Sequence, residues 1–196
     1  YRAFRQFANS STQENTLVIN GGTIKGTNKA VWVQSSNAHA NQANLTIGGE
    51  AVIDGDVYLW APANGATNGI AVSMKAECIK GEVINALSDR ALVNVNGVYS
   101  VAKAEASVNG TNYESIKAAI AAAQVGETVT ILAGDYAVNV DVNKAITVEG
   151  AVDAEGNSLV NINGKLNVTA NGAKVKNLNV NNGGSTAGYI GAKDVL

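Results

Sequence analysis

Few residues in this sequence have types and spacing suited to chemistry. Asp54 and Asp56 lie two residues apart in an Asp-Gly-Asp segment, where their carboxylates could share one edge of a turn and hold a cation weakly. Asp135 and Asp141 allow the same interpretation. We favour the alternative that all four are solvated and accept local hydrogen bonds, because no Asp-x-Asp pair on one predicted strand has a matching pair one coil away.

The chain has one histidine and one cysteine, which restricts nucleophilic and metal chemistry further. His39 lies in a polar loop sequence, where a lone histidine is more often solvated than catalytic. Cys78 precedes Ile79 in a pattern typical of a small core residue. A single cysteine excludes an internal disulfide and a cysteine-based zinc site. The sequence therefore predicts no catalytic residue, no cofactor and no metal.

Three aromatic residues form the best candidate site. The valines on both sides of Trp32 are expected to face the core, so strand alternation directs Trp32 outward, and the same reasoning directs Tyr58 and Trp60 outward. Because 28 residues separate Trp32 from Trp60, we expect these rings side by side on one flank. Exposed coplanar rings suit the C–H faces of sugars, which predicts carbohydrate stacking. The alternative is packing under a loop or against a neighbouring chain.

The strands that would position these rings recur along the chain. Residues 16–22, with the sequence TLVINGG, are echoed by NLTIGG at residues 44–49, a step of 28. Further echoes follow at residues 69–73, after a step of 25, and at residues 91–97. One such unit cannot close a core alone, but stacked copies bury a continuous one. The predicted interior positions are Leu17, Ile19, Leu45, Ile47, Ile70 and Val72.

This repetition predicts a right-handed parallel β-helix, with roughly three coils in residues 10–100. An antiparallel β-sandwich would also show short alternating strands. We favour the β-helix, because sandwiches do not repeat Leu-x-Ile-x-Gly-Gly at fixed spacing. The composition agrees with short strands and tight turns: 21 of the 196 residues are glycine, and only 15% are charged.

One helix is predicted, at about residues 112–124. Thr111 and Glu114 fit a capping box at its start, and Ile116 and Ile120 lie on its apolar stripe. A β-helix exposes an unpaired edge and an apolar end at its first coil, so we expect this short α-helix to cap a second module.

The predicted organisation is therefore a first β-helix module over residues 1–100, a linker over 101–111 and a helix-capped second module over 112–196. We expect the second module to be truncated at its C-terminal end, the chain being a piece of a longer protein.

Charge and hydropathy exclude two classes of partner. The net charge is −2, with no basic stripe of the kind that nucleic-acid binding needs. No run of about 18 apolar residues is present, so no segment is expected to span a membrane.

The helix region carries a family resemblance. Residues 109–120, NGTNYESIKAAI, followed by VGETV at 125–129 and VNKAITVEG at 142–150, resemble the start of pectin-lyase-like right-handed β-helix modules in surface proteins of gut bacteria and in phage appendages. The repeats before residue 100 are similar to those that often precede such a module. The resemblance implies the fold, and it carries over no catalytic residue.

These observations lead us to expect a non-enzymatic, extracellular β-solenoid segment of a large protein displayed on a bacterial surface or a phage virion. Its expected partners are a glycan or host-surface ligand, further modules of the same chain or other copies. The alternative is a fragment of a polysaccharide lyase or glycoside hydrolase whose active coils lie outside this chain. A third interpretation is an assembly module that pairs end to end or side by side with other copies.

Overall fold

The structure is a computed structural model, and it describes residues 2–8, 14–35, 43–61, 70–87, 89–184 and 187–190. In the described residues, parallel strands stack into β-solenoid coils, about 6 turns in all, with one short helix, which confirms the predicted fold class. The chain divides into two compact units, residues 1–103 and residues 104–196.

The described residues of unit 1 form strands and one turn of 3₁₀ helix at Ala76–Cys78. Its strands are β1 (Arg2–Ala8), β2 (Asn15–Ile19), β3 (Thr23–Lys25), β4 (Lys29–Ser35), β5 (Ala43–Ile47), β6 (Val52–Asp54), β7 (Val57–Trp60), β8 (Ile70–Lys75), β9 (Val83–Ala86), β10 (Arg90–Val95) and β11 (Val98–Lys103). Parallel pairing builds three sheets, with the strand orders β1-β4-β7-β9, β2-β5-β8 and β3-β6.

The register between β2 and β5 confirms the repeat of 28 residues, since Leu17 lies opposite Leu45 and Ile19 opposite Ile47. The next predicted step, 25, is wrong: Leu45 lies opposite Val72, a step of 27. A slip of two residues leaves every side chain on its original face, because the strand period is two. The six predicted interior residues therefore face the core as expected. Five of the six are exposed by 8% or less, and Leu17 is half-buried against the same core.

A hairpin ends the parallel stack of unit 1, so the echo at residues 91–97 does not add a further parallel coil. β10 pairs antiparallel with β11, which pairs antiparallel with β8. Asn96 and Gly97 form the two-residue turn, and both have positive φ, of 51° and 79°. This is the backbone of a type I′ turn, and Asn-Gly is the strongest short-range signal for it. The hairpin pairs with the free edge of β8.

Unit 2 begins at Ala104. Its elements are β12 (Ala106–Val108), β13 (Thr111–Tyr113), α1 (Ile116–Ala122), β14 (Thr128–Ile131), β15 (Gly134–Tyr136), β16 (Val140–Val142), β17 (Thr147–Gly150), β18 (Val160–Ile162), β19 (Leu166–Val168), β20 (Lys174–Lys176), β21 (Asn179–Val180) and β22 (Gly188–Ile190). Parallel pairing joins β14-β17-β20, β15-β18-β21 and β16-β19-β22.

Residues 101–111, expected to be a linker, instead belong to two antiparallel hairpins. The end of β11 lies in this range, and so do all of β12 and the first residue of β13. β12 pairs antiparallel with both β13 and β14. Asn109 and Gly110 form the tight turn, again with positive φ, of 49° and 80°. The chain therefore passes from one unit to the next between strands.

The helix begins four residues later than predicted, and the proposed capping box is wrong. Thr111 belongs to β13, while Ser115 is the N-cap and its hydroxyl accepts from Ala118 N at 3.1 Å. The Glu105 carboxylate accepts a further bond, from Ile116 N at 3.1 Å. Sequence placed the cap too early because hairpin pairing overrides the helical preference of this segment.

The apolar side of α1 packs inside unit 2, in agreement with its predicted role as a cap. Ile116 and Ile120 are exposed by only 2% and 5% and join a core that includes Val129 and Val140. At the other end of the helix, Lys144 Nζ donates to three carbonyl oxygens. A cation stabilises this end of a helix, where carbonyl groups lack partners.

Candidate functional site

The candidate site lies on the outer face of the sheet β1-β4-β7-β9. On β4, Val31 and Val33 are fully buried, while Trp32 between them is half-buried. On β7, Val57 and Leu59 are fully buried, whereas the alternate aromatic residues are half-buried. The predicted outward orientation of Trp32, Tyr58 and Trp60 is therefore confirmed by the burial pattern.

The predicted neighbour of Trp32 is wrong. Trp32 lies opposite Tyr58, and Trp60 lies opposite Gln34, so the step on this sheet is 26 rather than 28. The two tryptophans are offset by two positions along the strands. The rings of Trp32 and Tyr58 meet edge to face, with centroids 6.3 Å apart and planes inclined by 77°. A coplanar tryptophan pair is therefore replaced by a T-shaped tryptophan–tyrosine pair.

The shorter repeat on this sheet arises in the segment that connects the preceding strand to it in each coil. Five residues lead from the end of β3 to Val31, but only two lead from the end of β6 to Val57. The extra length is absorbed as a bulge, since the Asp56 carbonyl accepts from both Ala30 N and Val31 N. Different corners of one coil can thus have different lengths, and a repeat measured on one sheet does not transfer to another.

Two cations that sequence reasoning missed lie on these rings. Lys29 Nζ is 3.6 Å from the Tyr58 ring centroid and 4.9 Å from that of Trp32. The Arg5 guanidinium carbon is 4.9 Å from the Trp32 centroid and 4.7 Å from the centroid of Phe7. These are cation–π distances. The correct register between β1 and β4 would have predicted the Arg5 contact, because Arg5 lies directly opposite Trp32.

We call this surface the aromatic flank, and its residues are Arg5, Phe7, Lys29, Trp32, Gln34, Tyr58 and Trp60. Gln34 orients Arg5, because its Oε1 accepts from Arg5 Nη2 at 2.6 Å and from Nε at 3.1 Å. The four strands of the sheet contain no Asp or Glu. The aromatic flank is thus a row of aromatic rings on one sheet face, and Arg5 and Lys29 give it a positive charge, whereas the net charge of the chain is −2.

The carboxylates considered from the sequence each bond to a separate partner. Asp54 forms an ion pair with Lys25 at 3.2 Å, and Asp56 accepts from Glu82 N at 3.0 Å. Among the described residues, no three His, Cys, Asp or Glu side chains are close enough together to hold a metal ion.

Asp135 and Asp141 also accept local hydrogen bonds, but from strands rather than turns. Each accepts from an asparagine amide at 2.7 Å, from Asn161 and Asn167 respectively, one coil away. These ladders tie successive coils of unit 2 together.

Cys78 is a core residue, as predicted, with 4% of its surface exposed and its Sγ 3.9 Å from the carbonyl oxygen of Gly49. His39 lies outside the described residues.

A cleft of about 350 Å³ lies between α1 and β16 in unit 2. Lys117, Asn139, Asp141 and Asn143 contribute polar groups to its lining. Two of these side chains are already engaged with neighbouring coils, since Asn139 accepts from Lys165 N and Asp141 accepts from Asn167. The cleft therefore offers fewer open polar groups than its lining suggests.

Comparison of the chain with protein-family models, curated proteins and solved structures gave no match. The aromatic flank must therefore be interpreted from its own chemistry. In the described part of the chain, no helix has the length and apolar character needed to cross a membrane.

Proposed function

We propose that this chain is a non-enzymatic, extracellular β-solenoid segment of a large protein displayed on a bacterial surface or a phage virion, and that its aromatic flank contacts glycans. The observation that carries the proposal is the set of half-buried rings on one outer face, with Trp32, Tyr58 and Trp60 at alternate positions above buried core residues.

The scaffold supports a binding role because it holds the rings without loops. Each ring projects from a strand whose neighbouring positions are locked in the core, so little conformational entropy is lost when a ligand binds. A tyrosine or tryptophan ring offers a sugar an apolar face. Parallel strands repeat such positions at about 4.8 Å, so a long ligand can cross several coils.

We also propose the finer family assignment, to the pectin-lyase-like modules of bacterial surface proteins and phage appendages. It is supported by the way the resembling segment folds: residues 109–150 form a hairpin turn, a capping helix and the first parallel strand pair of unit 2.

The test is a glycan array that contains neutral, sialylated and sulfated oligosaccharides, probed with the wild-type chain and with Trp32→Ala, Tyr58→Ala and Trp60→Ala. We expect wild type to bind at least one glycan and each variant to lose about tenfold in affinity, because each variant removes a ring of the aromatic flank. Val95→Ala is the matched control, because this side chain is 59% exposed on another sheet.

Thermal unfolding of each variant separates lost contacts from lost structure. The proposal fails if wild type binds no glycan on the array, or if folded variants bind as wild type does.

A further inference from the structure

The positions of the cations limit which glycans the aromatic flank can accept. Lys29 and Arg5 lie over the faces of Tyr58 and Trp32, at the distances that sugar C–H groups would otherwise occupy. A neutral sugar that stacks on these rings would have to displace both cations and give up their attraction to the rings. A ligand with an anionic group can instead bond to the cations where they are.

Neither cation is neutralised by a described acidic residue. The other lysines on outer faces of the chain include several with a carboxylate partner, such as Lys25 with Asp54 and Lys176 with Glu149. Arg5 and Lys29 have no ion pair with any residue that the structure describes. The strands around them contain no acidic residue, so their fields add rather than cancel.

Both cations also keep donors for a ligand. Arg5 directs Nε and Nη2 at Gln34 Oε1, and a guanidinium has five N–H donors, so its Nη1 group is not used in that contact. The Gln34 contact fixes the plane of the guanidinium, which favours a two-point bond to a planar or tetrahedral anion. Lys29, three residues before Trp32 on β4, adds an ammonium group over the Tyr58 ring.

We propose that the aromatic flank selects acidic glycans: an anionic substituent, either a sulfate ester or a carboxylate, binds between Arg5 and Lys29 while an adjacent sugar ring packs on Trp60. Trp60 suits this role because the cation–π contacts of Arg5 and Lys29 are with Phe7, Trp32 and Tyr58, while Trp60 is half-buried and lies opposite Gln34. This inference rests on the proposed glycan-binding function and adds the class of ligand.

The experiment uses the same array and then the matched derivatives of each glycan that binds. A sulfated hit is compared with its desulfated form, and a sialylated or other carboxylated hit with its carboxyl-reduced form. We expect binding to be confined to acidic glycans and to fall at least tenfold when the anionic group is removed. The two derivative series show whether sulfate or carboxylate is the group recognised.

Variants that remove one positive charge test whether Arg5 and Lys29 are responsible for the preference for acidic glycans. Arg5→Gln and Lys29→Gln should each weaken binding of the acidic glycan by about tenfold and reduce its dependence on salt between low and high ionic strength. Lys80→Gln is the control, because Lys80 is an exposed lysine outside the flank. We expect it to bind as wild type does.

The outcomes distinguish this inference from the function on which it rests. If neutral glycans bind as tightly as acidic ones and Trp60→Ala abolishes binding, acidic selection is wrong while glycan binding stands. If Lys80→Gln weakens binding as much as Lys29→Gln does, the attraction is non-specific and the inference is also wrong. If no glycan binds, the proposed function and this inference both fail.

Discussion

The outer faces of the two units differ although their cores follow the same rule. In unit 2 the outward positions of β15 and β18 form a ladder, in which Asn161 donates to Asp135 and Asn179 donates to Asn161 at 3.1 Å. In unit 1 the outward positions of β4 and β7 carry rings and an unneutralised lysine. One face uses its polar groups to hold coils together, and the other carries a lysine that forms no ion pair with any described residue. Inward residues therefore specify the solenoid, while the outward residues distinguish the units.

The largest loss of stability should come from placing a charge at an inward position of a strand, since buried inward residues form the core of both units. Ile47→Asp places a charge at a position that is 1% exposed, inside a cluster of buried hydrophobic residues, and we expect a loss of several kcal/mol in the free energy of unfolding. Thr46→Asp, on the opposite face of β5, should change it by less than about 1 kcal/mol. Chemical denaturation measures both. Equal losses would contradict the inward–outward assignment of this strand.

The next largest loss of stability should come from disturbing the helical cap of unit 2. Ile120→Ala removes a side chain that is 5% exposed, and we expect a loss of about 2–4 kcal/mol. Lys117→Ala, on the exposed side of α1, is the comparison and should be nearly neutral. Hydrogen exchange should locate the loss in α1 and in β14. A helix whose amides exchange freely in the wild-type chain would show that it does not cap.

A smaller loss of stability is expected from changing the two hairpins, which follow the parallel strands of unit 1 and precede those of unit 2. Asn96→Ala and Asn109→Ala each place alanine at a positive φ, which costs about 1–2 kcal/mol. Asn→Gly at the same positions should be tolerated, since glycine adopts this conformation freely. Thermal unfolding of the four variants tests the two turns together. Alanine variants as stable as the glycine variants would rule out type I′ geometry.

The smallest expected effect is a pH dependence of the stability of unit 2. Burial, and then the nearby Glu105 carboxylate, raise the pKa of the Tyr136 hydroxyl, which donates to the Leu132 carbonyl at 2.8 Å. The folded state therefore disfavours the ionised phenol more than the unfolded state does. Its contribution to stability is full below the ordinary pKa of 10.0 and falls as the pH rises above it.

Denaturation at several alkaline pH values should show this decline in the wild-type chain. Tyr136→Phe should be less stable at neutral pH, because the Leu132 carbonyl loses its donor, but its stability should fall less steeply in alkali. Parallel curves for the two proteins would contradict the assignment.

Sequence predicted the coarse fold and the faces of the strands, because both depend on a period of two that survives small errors. Ile70 was placed opposite the wrong residue of β5, yet its side chain is buried as expected. The pairing of Trp32 could not be predicted in this way, because it depends on the length of one corner and on the bulge at Asp56.

The hairpins could have been predicted. Asn96-Gly97 and Asn109-Gly110 each stand between short β-prone runs, which is the signal for a two-residue turn. The strong repeat before residue 91 favoured another coil instead. Arg5 and Lys29 were missed for a different reason: the contacts of Arg5 with Trp32 and of Lys29 with Tyr58 join separate strands, so they follow only from the correct register.

The central claim, that unit 1 binds through its aromatic flank while the ladder face of unit 2 does not bind, can be tested by NMR. Titration with the acidic oligosaccharide that binds most strongly on the array should shift the indole N–H signals of Trp32 and Trp60. The side-chain amide signals of Asn161 and Asn167 should stay unchanged. Shifts confined to those asparagines, or no shift of either indole signal at saturating ligand, would contradict the account.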